Sequence, residues 1–151
     1  MKAVLQRVLE AKVLIDSEEF SKINKGLLVF LCLEKGDDIS LFKKFIDKII
    51  NLRIFEDSEG KMNLSVKDIE GEILVVSQFT LAADCRKGRR PYFGQAMEIE
   101  KAKKYFEIFI KMLKEMYKPG KVFYGKFQAN MQIHLINDGP VTIILDSKEI
   151  C

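Results

Sequence analysis

The chain has a single histidine, His134, among its 151 residues. That scarcity removes most familiar hydrolase machinery, because a Ser–His–Asp arrangement would have to be built on that one ring. His134 alternates with Gln132 and Ile136 along a run that reads as one face of a strand, and a half-buried structural histidine is the expectation there. Cysteine is equally sparse. Cys32, Cys85 and Cys151 form an odd, scattered set, which argues against a disulfide framework and against a zinc site. No cluster of histidine, cysteine or carboxylate carries ligand spacing, so no metal is expected. A glycine-rich phosphate loop is missing too, and no cofactor is expected. No apolar run reaches membrane-spanning length. The N-terminus carries Lys2, Arg7, Glu10 and Lys12 with no signal-peptide apolar block, so a soluble, cytoplasmic protein is expected. An excess of one charge is also lacking. The 25 Lys and Arg against 22 Asp and Glu leave a net charge of +3, which permits nucleic-acid binding without demanding it.

What is present describes a globular chain. Hydrophobic residues make up 48% and charged residues 31%, too apolar for a disordered segment. No repeat, linker or low-complexity stretch divides it, so residues 1–151 read as one domain with one core. Ala3 to Ile15 is a Val- and Leu-rich strand that turns at Asp16-Ser17-Glu18-Glu19 and returns over Phe20 to Ile23. Gly26 opens Leu27 to Leu33, an apolar run expected as a strand buried on both faces, with Cys32 as a small core hydrophobe. Asp37 or Asp38 caps a helix whose Leu41, Phe42, Phe45, Ile46, Ile49 and Ile50 recur at helical spacing. Glu56 to Gly60 is a polar turn. A second helix spans Glu98 to Tyr117, stopped by Pro119-Gly120, with Ala102, Tyr105, Phe106, Phe109, Met112, Leu113 and Met116 as its apolar stripe. Val122 to Phe127, Met131 to Ile136 and Val141 to Leu145 are expected strands, with a turn before the last. The order argues for an α+β fold with mixed sheet pairing and two main helices.

Two stretches carry the chemistry. Glu72-Ile73-Leu74-Val75-Val76 is a buried strand that turns polar at Ser77-Gln78-Phe79-Thr80-Leu81. Hydroxyls and an amide at a strand end can meet a ligand at the rim of a sheet, or can simply satisfy loop backbone groups. The second stretch is Asn137-Asp138-Gly139-Pro140-Val141-Thr142. Asp138 beside Gly139 reads as a turn former, and the scarcity of cis X–Pro bonds favours a trans Gly139–Pro140 bond. Between the two stretches, Arg86, Lys87, Arg89 and Arg90 surround Gly88. Four cations in five loop residues can neutralise phosphates without selecting a sequence. Charge runs are more often solvated loops, but this one follows directly on the candidate site, which favours the RNA reading.

The two stretches together resemble the two signature motifs of the D-aminoacyl-tRNA deacylases. The resemblance runs from Met1-Lys2-Ala3-Val4-Leu5-Gln6-Arg7-Val8 to Leu145-Asp146-Ser147, and includes Asn51-Leu52-Arg53-Ile54-Phe55 and Gly88-Arg89-Arg90-Pro91. It implies a barrel-like core, a homodimer with active sites at the subunit interface, and hydrolysis of D-aminoacyl-tRNA to free amino acid and tRNA. Glycyl-tRNA mischarged onto a tRNA such as tRNA(Ala) would be a further substrate. On this resemblance Ser77, Gln78, Phe79 and Thr80 are the catalytic residues. Gln78 and Phe79 supply backbone around the scissile carbonyl, and Ser77 and Thr80 supply hydroxyls near the ester and terminal adenosine. Gly139 and Pro140 are implied to be joined by a cis bond and to reach into the partner's pocket as a chiral gate. Asn137, Val141, Thr142, Met131 and the four cations are the implied substrate and tRNA contacts.

The chain departs from the family at three places. Gln128 stands in Phe127-Gln128-Ala129 where many relatives have glycine, near the implied adenosine pocket. Cys85 and Tyr92 replace the usual Thr and Ser in the basic loop. The chemistry is consistent with a site so poor in acid–base groups. An aminoacyl ester is activated by its ammonium and by the vicinal 2′-hydroxyl, so oxyanion stabilisation by backbone N–H groups can suffice. Whether Thr80 attacks or positions stays open. Two other readings remain: a non-catalytic tRNA-binding module, and a structural dimer without ligand, against which the polar residues at both motifs argue.

Overall fold

The computed structural model describes residues 1–151. Strand β1 (Lys2–Ile15) is the spine of a mixed sheet. It pairs antiparallel with β2 (Glu18–Ile23) through its second half and with β3 (Gly26–Cys32) through its first. The two-residue β1–β2 turn places Asp16 and Ser17 at φ 51° and 67°, the twist that a tight hairpin requires. The other edge of β1 pairs along nearly its whole length with β8 (Gln132–Asp146). β3 continues the sheet in parallel to β6 (Glu72–Ser77), and β6 in parallel to β7 (Val122–Tyr124). A side ribbon of β4 (Phe55–Glu56) and β5 (Met62–Leu64) encloses the expected polar turn. The sheet curls until β2 approaches β6 and β7, nearly closing a barrel.

Alternation along β3 and β6 shows why both are apolar throughout. Leu27, Val29, Leu31, Ile73 and Val75 face the helices in a 25-residue core, whereas Leu28, Leu74 and Val76 face a 7-residue core inside the curl. Such strands are buried on both faces and read as continuous apolar runs. Gly26 is required where β3 begins, because a Cβ there would lie 1.8 Å from the Glu72 carbonyl oxygen. The helices α1 (Phe42–Asn51) and α2 (Ile99–Met116) cover the outer face of these strands. Phe42 meets Phe109 and Tyr105 edge-to-face, at centroid distances of 5.3 and 5.8 Å. The Glu98 carboxylate caps α2, accepting from the Glu100 and Lys101 amides. A short α3 (Ser147–Ile150) ends the chain.

Three expectations need correction and one alternative is resolved. The stretch around Gly139 does not turn the chain. Both expected strands flanking it are halves of β8 and pair with the same strand β1, and the motif is absorbed as an irregularity in that ladder. The strand after Pro119-Gly120 stops at Tyr124 rather than Phe127, because residues 125–131 leave the sheet. His134 is exposed on the outer face of β8, opposite Lys12, since the outward alternation of Gln132, His134 and Ile136 has nothing packed on it in the single chain. Asp37 is not a cap. Asp38 accepts from the Ser40 amide and opens a short 3-10 turn before α1, while Asp37 turns inward to the α-ammonium of Met1.

That ammonium is buried and donates to Asp37 Oδ1 at 2.6 Å, Ser147 Oγ at 2.9 Å and Glu34 Oε2 at 3.3 Å. Asp37 also accepts from the Glu34 amide at 2.7 Å. The cage ties the first strand to the last helix. Removing one partner of a buried ion pair leaves the other uncompensated, typically at about 3–5 kcal/mol. Asp37→Ala should therefore lower the unfolding free energy by that order, seen as a lower urea midpoint at an unchanged m-value. An unchanged midpoint would show that Glu34 and Ser147 suffice.

Candidate active site

A cleft of about 790 Å³ opens at the carboxyl ends of the parallel strands β3 and β6, where α/β sheets commonly receive ligands. Its volume is in the range of small-molecule sites. Leu31 and Val76 form the floor, Met97, Ala102 and Phe106 one wall, and the loop from Phe127 to Met131 the other. The lining is mostly apolar, with Ser77, Gln78, Glu98, Gln128 and Asn130 as its polar members. Phe79 and Phe93 meet edge-to-face at 5.1 Å, and Phe106 and Phe127 lie at 5.9 Å.

The strand β6 ends at Ser77, and the chain then winds into a 3-10 turn over Phe79–Ala82. The Gln78 amide is already committed, donating to the Leu31 carbonyl at 2.8 Å and extending the β3–β6 ladder by one bond. The amides of Phe79 and Thr80 open the turn and have no acceptor within it. Both amides are left outside the backbone hydrogen bonds of the turn. Thr80 is exposed, and its Oγ1 accepts from Gln78 Nε2 at 2.5 Å. No carboxylate or imidazole bonds it, so the side-chain network presents no general base to Thr80. Beneath the turn, Cys32 Sγ lies 3.6 Å from the Phe79 carbonyl oxygen. Burial, assisted by the charge of Glu34, pushes the Cys32 thiol up to about 11.

The second motif lies elsewhere on the chain. The Gly139–Pro140 bond is cis, as the resemblance implied, and both residues are exposed. Gly139 has φ 128°, and a Cβ there would meet Val141 Cγ2 at 2.8 Å and Arg7 Nη2 at 3.0 Å, so glycine is required on both counts. Asn137 braces the motif from one side. Its Nδ2 donates to Thr142 Oγ1 at 2.9 Å, and its Oδ1 accepts from the Val141 amide at 3.1 Å. Arg7 holds it from beneath. Arg7 is only 4% exposed, and its guanidinium donates from Nε to the Asp138 carbonyl at 3.0 Å and from Nη1 to the Ile54 carbonyl at 2.8 Å. The Asp138 carboxylate adds an ion pair at 3.4 Å and Glu56 another at 3.8 Å. Asp138 is thus an ion-pair partner rather than a turn former.

The basic loop is pinched at its base by reciprocal backbone bonds between Asp84 and Tyr92, and Gly88 sits within it at φ 71°. Arg86, Lys87, Arg89 and Arg90 are all exposed. Arg86 is the least free, since its fork grips both oxygens of Asp84, at 2.9 and 2.6 Å. These bonds hold the Asp84 carboxyl at about 2. Cys85 and Tyr92 project from the same loop into solvent.

The fold therefore gathers Ser77, Gln78, Phe79 and Met131 at one cleft, with Thr80 on the adjoining turn. Within one chain it does not bring Asn137, Gly139, Pro140, Val141, Thr142 or the four cations into the cleft lining. Sequence reasoning missed Arg7, Phe93, Glu98 and Asn130. Arg7 had a signal. It continues the inward alternation of Ala3 and Leu5, and a charge at an inward position has to find partners. Phe93 and Asn130 belong to irregular loops and carried none.

The similarities to known proteins agree with this geometry. A family model described as D-Tyr-tRNA(Tyr) deacylase matches residues 4–146. The D-aminoacyl-tRNA deacylase of Thermotoga petrophila is 53% identical over 150 residues, covering 99% of each chain. That of Clostridioides difficile is 54% identical over 149 residues, again 99% of each. The structure of the c-Myc DNA Unwinding Element Binding Protein aligns with a TM-score of 0.93 at 44% identity, over 97% of this chain and 98% of that one. A probable eukaryotic D-amino acid tRNA deacylase aligns at 0.81 with 16% identity, over 95% and 97%, a likeness of fold alone. Matches of this extent define the class as a family of hydrolases. The chain belongs to the D-aminoacyl-tRNA deacylase family.

Two outcomes follow from the site's geometry. Arg7→Ala strips a buried carbonyl, a part-buried carbonyl and two carboxylates of their donor, so stability should fall by about 3 kcal/mol. Arg7→Lys should recover little, because a point charge cannot span two carbonyls as the guanidinium fork does. Thermal melting of both variants checks this, and full rescue by lysine would contradict it. For Cys32, the folded value lies above the ordinary 9.0. The stabilisation of its protonated thiol is complete below about pH 9 and is lost as pH rises toward 11. Iodoacetamide at pH 8 should label Cys85 and Cys151 in the native protein and Cys32 only after unfolding, as peptide mass spectrometry would show.

Proposed function

We propose that this protein hydrolyses the ester of D-aminoacyl-tRNA, releasing free amino acid and tRNA as a chiral proofreading step in translation. The observation that carries the proposal is the pair of Phe79 and Thr80 amides at the edge of an apolar cleft, in a chain of this family. A water oxygen adds to the acyl carbon, assisted by the ribose 2′-hydroxyl. The carbonyl oxygen takes the charge and is met by those two amides, an interaction worth a few kcal/mol at about 2.7–3.1 Å. The acyl–oxygen bond to the ribose then breaks, and that oxygen takes the proton that the attacking water gives up through the 2′-hydroxyl. Thr80, with Gln78 donating to its hydroxyl and no base beside it, acts as a positioning group rather than a covalent nucleophile.

Chirality is read by exclusion. In a homodimer, Gly139 and Pro140 of one subunit enter the cleft of the other and crowd one direction at the chiral carbon. Their exposure in the single chain supports this, as do the exposed apolar side chains Leu9, Ile136 and Ile144 along β1 and β8. Lys87, Arg89 and Arg90, with Arg86 held by Asp84, contact tRNA phosphates. The protein works in the cytoplasm. A second reading, a nucleic-acid-binding module without catalysis, draws on the same loop and on the name of the 44% identical structure.

Matched D-tyrosyl-, L-alanyl- and glycyl-tRNA separate these readings. A steric gate should cleave the D-tyrosyl ester, spare the L-alanyl ester and cleave the glycyl ester, which has no side chain to exclude. D-tyrosyl cleavage without any glycyl cleavage at saturating enzyme would mean that the D side chain is gripped instead. tRNA binding with no ester lost from any substrate would leave only the binding module.

A further inference from the structure

Four non-glycine residues have φ in the left-handed region: Asp16, Ser17, Glu70 and Gln128. Asp16 and Ser17 form the tight hairpin turn. Glu70 turns the chain just before Gly71, its carboxylate paired with Lys118. Gln128 takes the third place of a turn from Lys126 to Ala129, closed by the Ala129 amide donating to the Lys126 carbonyl at 3.2 Å, a place that asks for positive φ and favours glycine. At φ 61° it stands in the loop that walls the cleft, between Phe127 and Ala129, at a position glycine would occupy without steric cost. Its side chain is exposed, and its carboxamide enters none of the chain's hydrogen bonds. The surrounding cleft offers flat apolar surfaces from Phe79, Phe93, Phe106 and Phe127 and few polar groups. Such walls suit the faces of a nucleobase, but they leave its edge unread.

We infer that Gln128 is a specificity-determining residue that reads the terminal base of the substrate. Its carboxamide oxygen accepts from the adenine N6 amino group while its nitrogen donates to N7, the paired pattern that an amide side chain makes with adenine. The inference rests on the cleft being the seat of the aminoacylated 3′ end, where tRNA carries adenosine.

The test compares wild-type protein with Gln128→Gly on D-tyrosyl-tRNA ending in adenosine or in 7-deazaadenosine, which lacks the N7 acceptor. Free adenosine binding is measured beside it by calorimetry. Glycine accepts the left-handed φ, so the variant should fold with an equal or higher melting temperature. Its KM on the adenosine substrate should rise about tenfold, as loss of a two-bond base contact implies. The kcat should change by less than about twofold, since the contact is the same in ground and transition states. Wild type should lose affinity for the 7-deaza substrate, and the variant should be indifferent to the change. If KM and the response to 7-deazaadenosine are the same in both proteins, Gln128 is a solvated loop residue, and the inference fails while the deacylase reading stands. If wild type cleaves no D-aminoacyl-tRNA, the deacylase reading fails and adenosine binding decides alone. Tighter binding by wild type than by Gln128→Gly supports the inference, and equal or absent binding overturns it.

Discussion

A guanidinium buried at the middle of β1 is the constraint around which this fold is arranged. Arg7 occupies an inward position where its neighbours Leu5 and Val8 are fully buried. A buried charge is tolerated only when its protons are met. The partners come from three parts of the chain: the Ile54 carbonyl after α1, Glu56 in β4, and both the carbonyl and carboxylate of Asp138 in β8. The regular β1–β8 ladder skips at this point, with register shifts on both sides of Val8. That irregularity is where Gly139 and Pro140 reach the surface. One inward charge thus fixes where the first and last strands part company, and with it the placement of the second motif.

The cleft is a product of the sheet's double burial. β3 and β6 are apolar on both faces because helices cover one face and the curl of the sheet covers the other. Parallel strands packed this way end together, and the backbone beyond them has no further ladder to join. Gln78 makes one last bond to Leu31. Phe79 and Thr80 then turn away with their amides unclaimed by the turn they open. Backbone that leaves a sheet keeps a fixed geometry only where its surroundings are rigid. The floor of Leu31 and Val76, the buried Cys32 and the Phe79–Phe93 contact supply that support.

Placement of the charged loop follows the same logic. Its base is tied by the Asp84–Tyr92 bonds and by Phe93, which packs at the cleft mouth, while its cations point into solvent. The pairing of Asp84 with Arg86 ties one of the four cations to the loop itself. The other three are exposed and enter no ion pair within the chain.

Much of this was legible in the sequence, and the boundary has a physical origin. Period-two alternation in β1, the apolar runs of β3 and β6, and the 3.6-residue stripes of α1 and α2 are local patterns. Burial reads them directly, so the elements, the α+β class and the first motif's seat at a strand end were visible. The resemblance carried by Ser77 to Leu81 and Asn137 to Thr142 added the cis bond, which local preference would have assigned the other way. Long-range pairing was not visible. A Gly-Pro pair after Asn-Asp looks like a turn unless β1 is known to run past it on one side and Arg7 to bind it from beneath. His134 reads as half-buried unless one knows that no element covers that face of β8. Asp37 and Asp38 are equivalent as caps until the Met1 ammonium claims one of them. In each case the deciding partner lies more than thirty residues away or on the opposite side of the sheet. Sequence by itself determined which segments become strands and helices, because that depends on near neighbours. Tertiary structure alone decided which polar groups meet, because buried charges and open amides find partners only after the distant strands have paired.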